Sequence, residues 1–389
     1  MSRPEKPTFA PRLVAAATLT KAKNLTIGGF AEYFKGSIGY YASQGGRRVP
    51  PAIRGDQGIM VRGRMMCRMR SRNFTSLEIC AGAGGQALGL EQAGFHHVGL
   101  VEIDSAACCT LRLNRPQWNV LEGDLRCFDG RRFQGLDLLA GGVPCPPFSK
   151  AGRQLGEGDE RDLLPEAIRL VDECRPKAFM LENVRGLLDA VFDDYRTKLE
   201  KQLKKLGYVP GWRLLNASDF GVSQLRPRVV FVAIRSCLAD GFSWPEPLNV
   251  TPPTVGELLF DLMKKNGWKG ADHWKLQANS IAPTLVGGSK KHGGPDLGPT
   301  RAKRAWASLG VDGMGLWDDA PPPDFVGMPR LTPRMAARIQ GFPDNWLFYG
   351  RKTAAYRQIG NAFPPPVAKA VADHIYKALE VRRSFKVAL

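Results

Sequence analysis

The chain has 389 residues, 43% of them hydrophobic and 24% charged, with a formal net charge of +18; that is length enough for about two domains and one substantial core. No apolar run approaches the ~20 residues of a membrane span, no cleavable leader is expected, and the eight cysteines form no CxxC pair. A membrane protein, a disulfide scaffold and a metal cluster are therefore excluded, while the charge points to a cytoplasmic partner of nucleic acid.

Residues 1–73 hold fourteen Lys/Arg against Glu5, Glu32 and Asp56, so +11 of the surplus lies there. The stretch is Gly/Arg-rich with weak periodicity and reads as a disordered basic extension. Met60, Met65, Met66 and Met69 crowd before the first convincing strand and point to a start codon there.

Residues 74–235 alternate short apolar runs with amphipathic stretches. Strands are predicted at 76–80, 98–103, 136–140, 178–181 and 229–234, with helices at 87–93, 106–113, 163–173 and 195–206. Such alternation predicts an α/β, Rossmann-like fold, a mostly parallel sheet covered on both faces. Residues 236–330 turn rich in Gly, Pro, Lys and Trp without a long periodic segment, and read as a smaller, loop-rich domain. Residues 331–389 regain helical periodicity at 332–340 and from about 366 to 379, and return to the first domain.

The first strand runs into Cys80-Ala81-Gly82-Ala83-Gly84-Gly85, small residues that let the backbone turn and approach a ligand. Glu102, followed by Ile103, ends the second strand, placed to accept from ribose hydroxyls. Asp124 is an acceptor suited to an adenine amino group. A nicotinamide enzyme and a methyltransferase fit these features equally. The next strand decides between them, because it leads through Gly141-Gly142-Val143-Pro144 to Cys145, a thiol carried past a strand end on a stiff loop. Hydride transfer has no use for it. Methylation at C5 of cytosine does, since a thiolate added to C6 makes C5 nucleophilic, provided an acid sits at N3 and cations hold the base. Glu182, at the end of the following strand, and Arg226 and Arg228, opening the last one, supply that set.

With those stretches in order, the chain resembles the DNA cytosine-5 methyltransferases over about residues 76–379. Glu78–Gly85, Gly142–Ser149, Glu182-Asn183-Val184, Gln224-Leu225-Arg226-Pro227-Arg228, Thr332–Pro343 and Gln358–Ala368 look like that family's successive motifs, of bacterial or phage, restriction-modification type. The resemblance implies S-adenosyl-L-methionine as cofactor, no metal, double-stranded DNA as substrate, and a monomer that acts alone beside a cognate restriction endonuclease. It makes Cys145 the nucleophile, Glu182 the N3 partner, Arg228 a contact to the flipped base and Arg226 a buttress of the catalytic loop, residues 150–162. It places Glu102, Asp124, Leu125, Pro144, Leu164 and Asn361 around the cofactor. Ser149, Gln224, Lys290, Lys291 and Arg301 are the implied DNA contacts, and 236–330 becomes the target-recognition domain, with 279–285 and 290–304 facing the groove. One departure is Cys80, where many members carry an aromatic residue, and Glu78 stands where Asp is commoner.

A tRNA cytosine-5 methyltransferase shares the Pro-Cys and Glu-Asn-Val motifs but typically has a Cys-Phe-Thr signature, and no cysteine follows Cys237 here. A catalytically silent DNA-binding homologue would have lost Cys145 or Glu182, and both are present.

Overall fold

The computed structural model describes residues 74–144, 162–288, 294 and 296–386. The basic extension, Cys145, Ser149, Lys290 and Lys291 lie outside the described residues. A seven-stranded sheet organises the described chain, in the order β3-β2-β1-β4-β5-β7-β6. The strands are β1 (Thr75–Ile79), β2 (His96–Glu102), β3 (Val120–Glu122), β4 (Leu138–Gly141), β5 (Ala178–Val184), β6 (Tyr208–Asn216) and β7 (Pro227–Arg235). From β3 through β5 every pairing is parallel; β7 runs antiparallel to β5, and β6 antiparallel to β7.

Period-two alternation explains why the sheet is covered on both sides. Leu77, Ile79, Leu139, Phe179, Leu181, Phe231 and Ala233 share one buried face, packed under α3 (Leu164–Cys174) and α4 (Asp193–Lys205). Leu138, Ala140, Ala178, Met180, Val230 and Val232 share the other, with α10 (Pro365–Lys386) against it. The helix α1 (Gly85–Gln92) lies beside α10 so closely that a Cβ on Gly89 would stand 2.6 Å from the Pro365 carbonyl. The returning C-terminal segment is thus built into the first domain.

The remaining elements differ from expectation for physical reasons. The strand β6 is not among the predicted strands; it contains Pro210 and Gly211, which an edge strand tolerates. β5 runs three residues beyond the predicted 181, carrying Glu182 and Asn183 inside the strand, because each still pairs with β7. The region 236–330 is less loop-rich than predicted. It holds α5 (Val255–Lys264), α6 (Ala271–Gln277) and α7 (Thr300–Ser308). Thr254 and Glu257 form a reciprocal capping box at α5, and Val255, Leu259 and Met263 repeat every fourth residue on its buried side. That core is continuous with α8 (Pro333–Ile339) and reaches Leu111 of α2 (Ser105–Asn114) and Trp118 beside β2.

Candidate active site

The carboxyl ends of β1 to β5 open onto one cavity of about 290 Å³. At its floor the chain leaves β1 with Cys80 at φ 51°, Gly82 at 53° and Gly84 at 84°. A left-handed turn repeated this often favours glycine, and it lets α1 begin directly under the cavity. No atom lies within 4 Å of where a Gly82 side chain would start, so its backbone faces open space. Gly85 is the reverse, since a Cβ there would meet the Phe363 carbonyl at 2.3 Å.

Glu102 spans this turn. One carboxylate oxygen accepts from the Gly82 N–H at 2.7 Å and the other from the Asp104 N–H at 2.7 Å. Burial raises its pKa, opposed by those backbone donors. Glu102 also lines the cavity, and a carboxylate oxygen can accept more than one hydrogen bond. Asp124 and Leu125 follow β3; Asp124 is held by Arg126 at 2.6 Å, and hydrogen bonds from Arg126 lower its pKa. The Cys80 thiol is pushed up by burial first and by Glu102 and Asp124 next, so it stays neutral. Ala81, Ala83, Ile103 and Pro144 complete the predicted lining. Leu164 does not belong to it: its side chain is in the core beneath the sheet, and Leu163 takes the place on the wall. Glu78, the start of the first motif, lines the cavity too, and residues not anticipated there include Gln86, Asp104, Arg357 and Phe363. Arg357 and Asn361 come from α9 (Lys352–Asn361), and Asn361 donates to the Gly288 carbonyl at 3.1 Å.

On the β5 side the wall ends in Glu182. Its Oε1 lies 2.7 Å from Arg228 Nε, with both side chains almost fully buried. The pairing register explains the contact. Val184 faces Arg228 across β5 and β7, which sets Glu182 one diagonal step away on the same face. Burial drives the Glu182 carboxyl up, while Arg228 and then Arg226 pull it down. The balance is an acid that takes a proton more readily than an exposed glutamate. Gly142 approaches so closely that a Cβ there would stand 3.3 Å from Glu182 Oε2.

Gln224, expected to touch DNA, and Arg226, expected to buttress the catalytic loop, are both internal supports. Gln224 has no exposure, donates to Gln340 Oε1 at 2.7 Å and accepts from the Leu285 N–H at 2.9 Å. A buried amide with both ends used cannot face DNA. Arg226 is likewise unexposed and donates to the carbonyls of Leu285 at 2.7 Å, Gly360 at 2.6 Å and Ala362 at 3.1 Å. It pins the second region to the end of α9; the loop it was expected to support lies largely outside the described residues. Within 279–285, Ala282 and Leu285 are buried against residues 223–226, which removes them from any groove. Arg301 is exposed at the start of α7. Among the described residues no group of His, Cys, Asp or Glu is placed to hold a metal ion, and no helix is long and apolar enough to cross a membrane.

Comparison with known proteins agrees with this geometry. The Type II methyltransferase M.NgoMIV of Neisseria gonorrhoeae is 62% identical over 310 residues, covering 79% of this chain and 98% of its own. M.NaeI of Lentzea aerocolonigenes, also a Type II methyltransferase, is 58% identical over 311 residues, covering 78% and 75%. Among solved structures, DNMT2 of Spodoptera frugiperda superposes with a TM-score of 0.55 at 17% identity over 78% of this chain and 99% of that one. That likeness speaks for the fold alone. Residues 74–377 match the model of a single family along their whole length, and the chain therefore belongs to the C-5 cytosine-specific DNA methylases, as a DNA (cytosine-5-)-methyltransferase of restriction-modification type.

Proposed function

We propose that the protein methylates C5 of a cytosine turned out of double-stranded DNA, in a defined sequence context, with S-adenosyl-L-methionine as donor and a covalent bond from Cys145 to C6 as intermediate. One observation carries the reading: Glu182, locked to Arg228, lines the same cavity as Gly82 and Glu102. The chemistry of the wall fits the donor. Glu102 suits the ribose diol, Asp124, Leu125, Ile103 and Cys80 flank the adenine side, and Asn361 borders the opposite side. Ala81, Gly82 and Ala83 offer backbone at close approach. When bound, the cofactor supplies a methyl group on a positively charged sulfur.

The protein's own groups do the rest. The Cys145 thiolate adds to C6 and delivers electron density to C5, which is otherwise a poor nucleophile. Glu182, protonated with the help of its buried position, donates at N3 and absorbs the charge that develops there. Arg228 holds Glu182 and contacts the base. Once C5 carries the methyl group, solvent takes the C5 proton, the Cys145 thiolate leaves C6, and N3 returns its proton to Glu182, which restores the ring. A cytosine stacked in a duplex cannot present C6 to any side chain, so the base must leave the helix. Residues 74–235 and 331–389 form the catalytic part under this reading, and 236–330 reads the sequence, with Arg301 and the lysines at 290 and 291 beside the phosphates and Ser149 at the target nucleotide.

The test is methyl transfer from labelled S-adenosylmethionine to unmethylated genomic DNA, with tRNA in parallel and bisulfite sequencing of the DNA product. Protected cytosines in one short recurring context are expected. Label in tRNA alone refutes the assignment.

A further inference from the structure

Gln86 is the second residue of α1 and stands in the cavity wall with 4% exposure. Neither its Oε1 nor its Nε2 has a hydrogen-bond partner among the described residues. Glu78, 1% exposed, lines the same cavity; its Oε2 is also unpartnered, while the Ala87 N–H holds its other oxygen. Buried polar groups are nearly always paired, so two orphans in one wall mark a site that is completed by something else.

We infer that Gln86 recognises the amino-acid end of the adenosyl cofactor, its amide donating to the carboxylate and accepting from the ammonium group. This rests on the cofactor reading given above. The placement follows from the order of strands. Asp124 lies past β3, Glu102 at the end of β2, and Glu182 at the end of β5. An adenosine running from β3 toward β4, with its sulfur aimed at β5, leaves its amino-acid arm to branch at β1 toward the start of α1. Gln86 lies there. Glu78 joins it, because it alternates with Leu77 and Ile79 and so projects to the opposite face of β1 from the core they enter. The cations that line the cavity are already engaged: Arg126 with Asp124 at 2.6 Å and Arg357 with Asp104 at 3.7 Å. A zwitterion asks for a donor and an acceptor side by side, and a primary amide offers both on one planar group.

The experiment is calorimetric titration of the full chain and its Gln86→Leu variant with three ligands: S-adenosylmethionine, S-adenosylhomocysteine and 5′-methylthioadenosine, which lacks the amino-acid arm. The variant is expected to bind the first two roughly tenfold to a hundredfold more weakly, as for a lost buried polar contact, and the third within about twofold. It should also melt no lower than wild type, because an unpaired amide has been removed; Gln86→Met, matched in length, substitutes if the leucine variant fails to fold. Equal weakening of all three ligands, or of none, overturns the inference while the cofactor reading stands. Wild-type protein that binds none of the three overturns the cofactor reading itself.

Discussion

Between pH 7 and pH 5 the folded protein is expected to lose about 2 kcal/mol of stability through His97 alone. His97 sits in β2 with Nδ1 2.9 Å from Ser76 Oγ and Nε2 2.9 Å from the Ala87 carbonyl, its ring edge-on to Trp118. A carbonyl only accepts, so Nε2 carries the proton and Nδ1 accepts from Ser76, an assignment inferred from partners. Burial lowers the pKa of the ring from 6.5 to about 4. The unfolded chain therefore takes up a proton below 6.5 that the folded chain refuses until about 4, and stability falls as pH drops through that window. The gap is worth roughly 3 kcal/mol in full, of which about two thirds is spent by pH 5. Glu78, Glu102 and Glu182 act in the opposite sense. Burial raises their pKa values, so the folded state binds their protons first and loses stability as pH rises through those values. The assay is consequently a difference: urea unfolding of wild type and His97→Gln across the range. Wild type should lead at pH 7 and its lead should shrink by about 2 kcal/mol at pH 5. Parallel curves would refute a neutral, buried His97 beneath the Gly-rich turn.

Three further outcomes are expected. Glu182→Gln should slow methyl transfer by roughly 10² to 10⁴, the range for a positioned acid, with cofactor affinity within a few-fold in titration; wild-type turnover would remove Glu182 from the chemistry. Cys145→Ser should abolish turnover in the labelled-methyl assay while the protein still binds S-adenosylmethionine, and retained transfer would sink the covalent route. Arg226→Met should cost about 3 kcal/mol or more in urea unfolding, because it strips the carbonyls of Leu285, Gly360 and Ala362 of their donor at once; a loss of DNA binding at unchanged stability would instead make it a surface contact.

What the sequence discloses divides along a physical line. Glu102 and Glu182 were legible because each ends an apolar run, and in a parallel sheet run ends converge at one edge. Gln224 and Leu164 were misjudged because a motif fixes order along the chain and says nothing of which way a side chain turns. Gln224 is drawn inward by Gln340, more than a hundred residues away. Leu164 faces the core because α3 begins there and buries its apolar stripe, and that one-residue phase puts Leu163 on the cavity. Gln86 carries no sequence signal of its own, since an unpaired buried amide exists only once the chain is folded. The helix α5 was the avoidable miss: Thr254 and Glu257 spell a capping box ahead of a four-residue apolar repeat.

The antiparallel course of β7 is what makes the Glu182–Arg228 pair available. Glu182 comes from the carboxyl end of β5, as a parallel sheet requires of any ligand-facing group. Arg228 is the second residue of its own strand. Had β7 run parallel to β5, its start would lie at the opposite edge of the sheet, some ~20 Å from the cavity for a strand of this length. Reversal brings Arg228 opposite Val184 and within 2.7 Å of Glu182. The reversal also exposes why β6 must exist, because β7 carries the fully buried run Val229–Ile234 and needs a partner on its free side. A nine-residue edge strand with a proline and a glycine in it is enough to cover that edge. The cation that holds Glu182 therefore depends on a strand that contributes nothing to the cavity, and Gly211→Pro in β6, opposite Val232, should lower turnover and stability together without altering any residue that lines the site. Lost turnover at full stability, or full turnover in a destabilised protein at a temperature where it stays folded, would break that dependence.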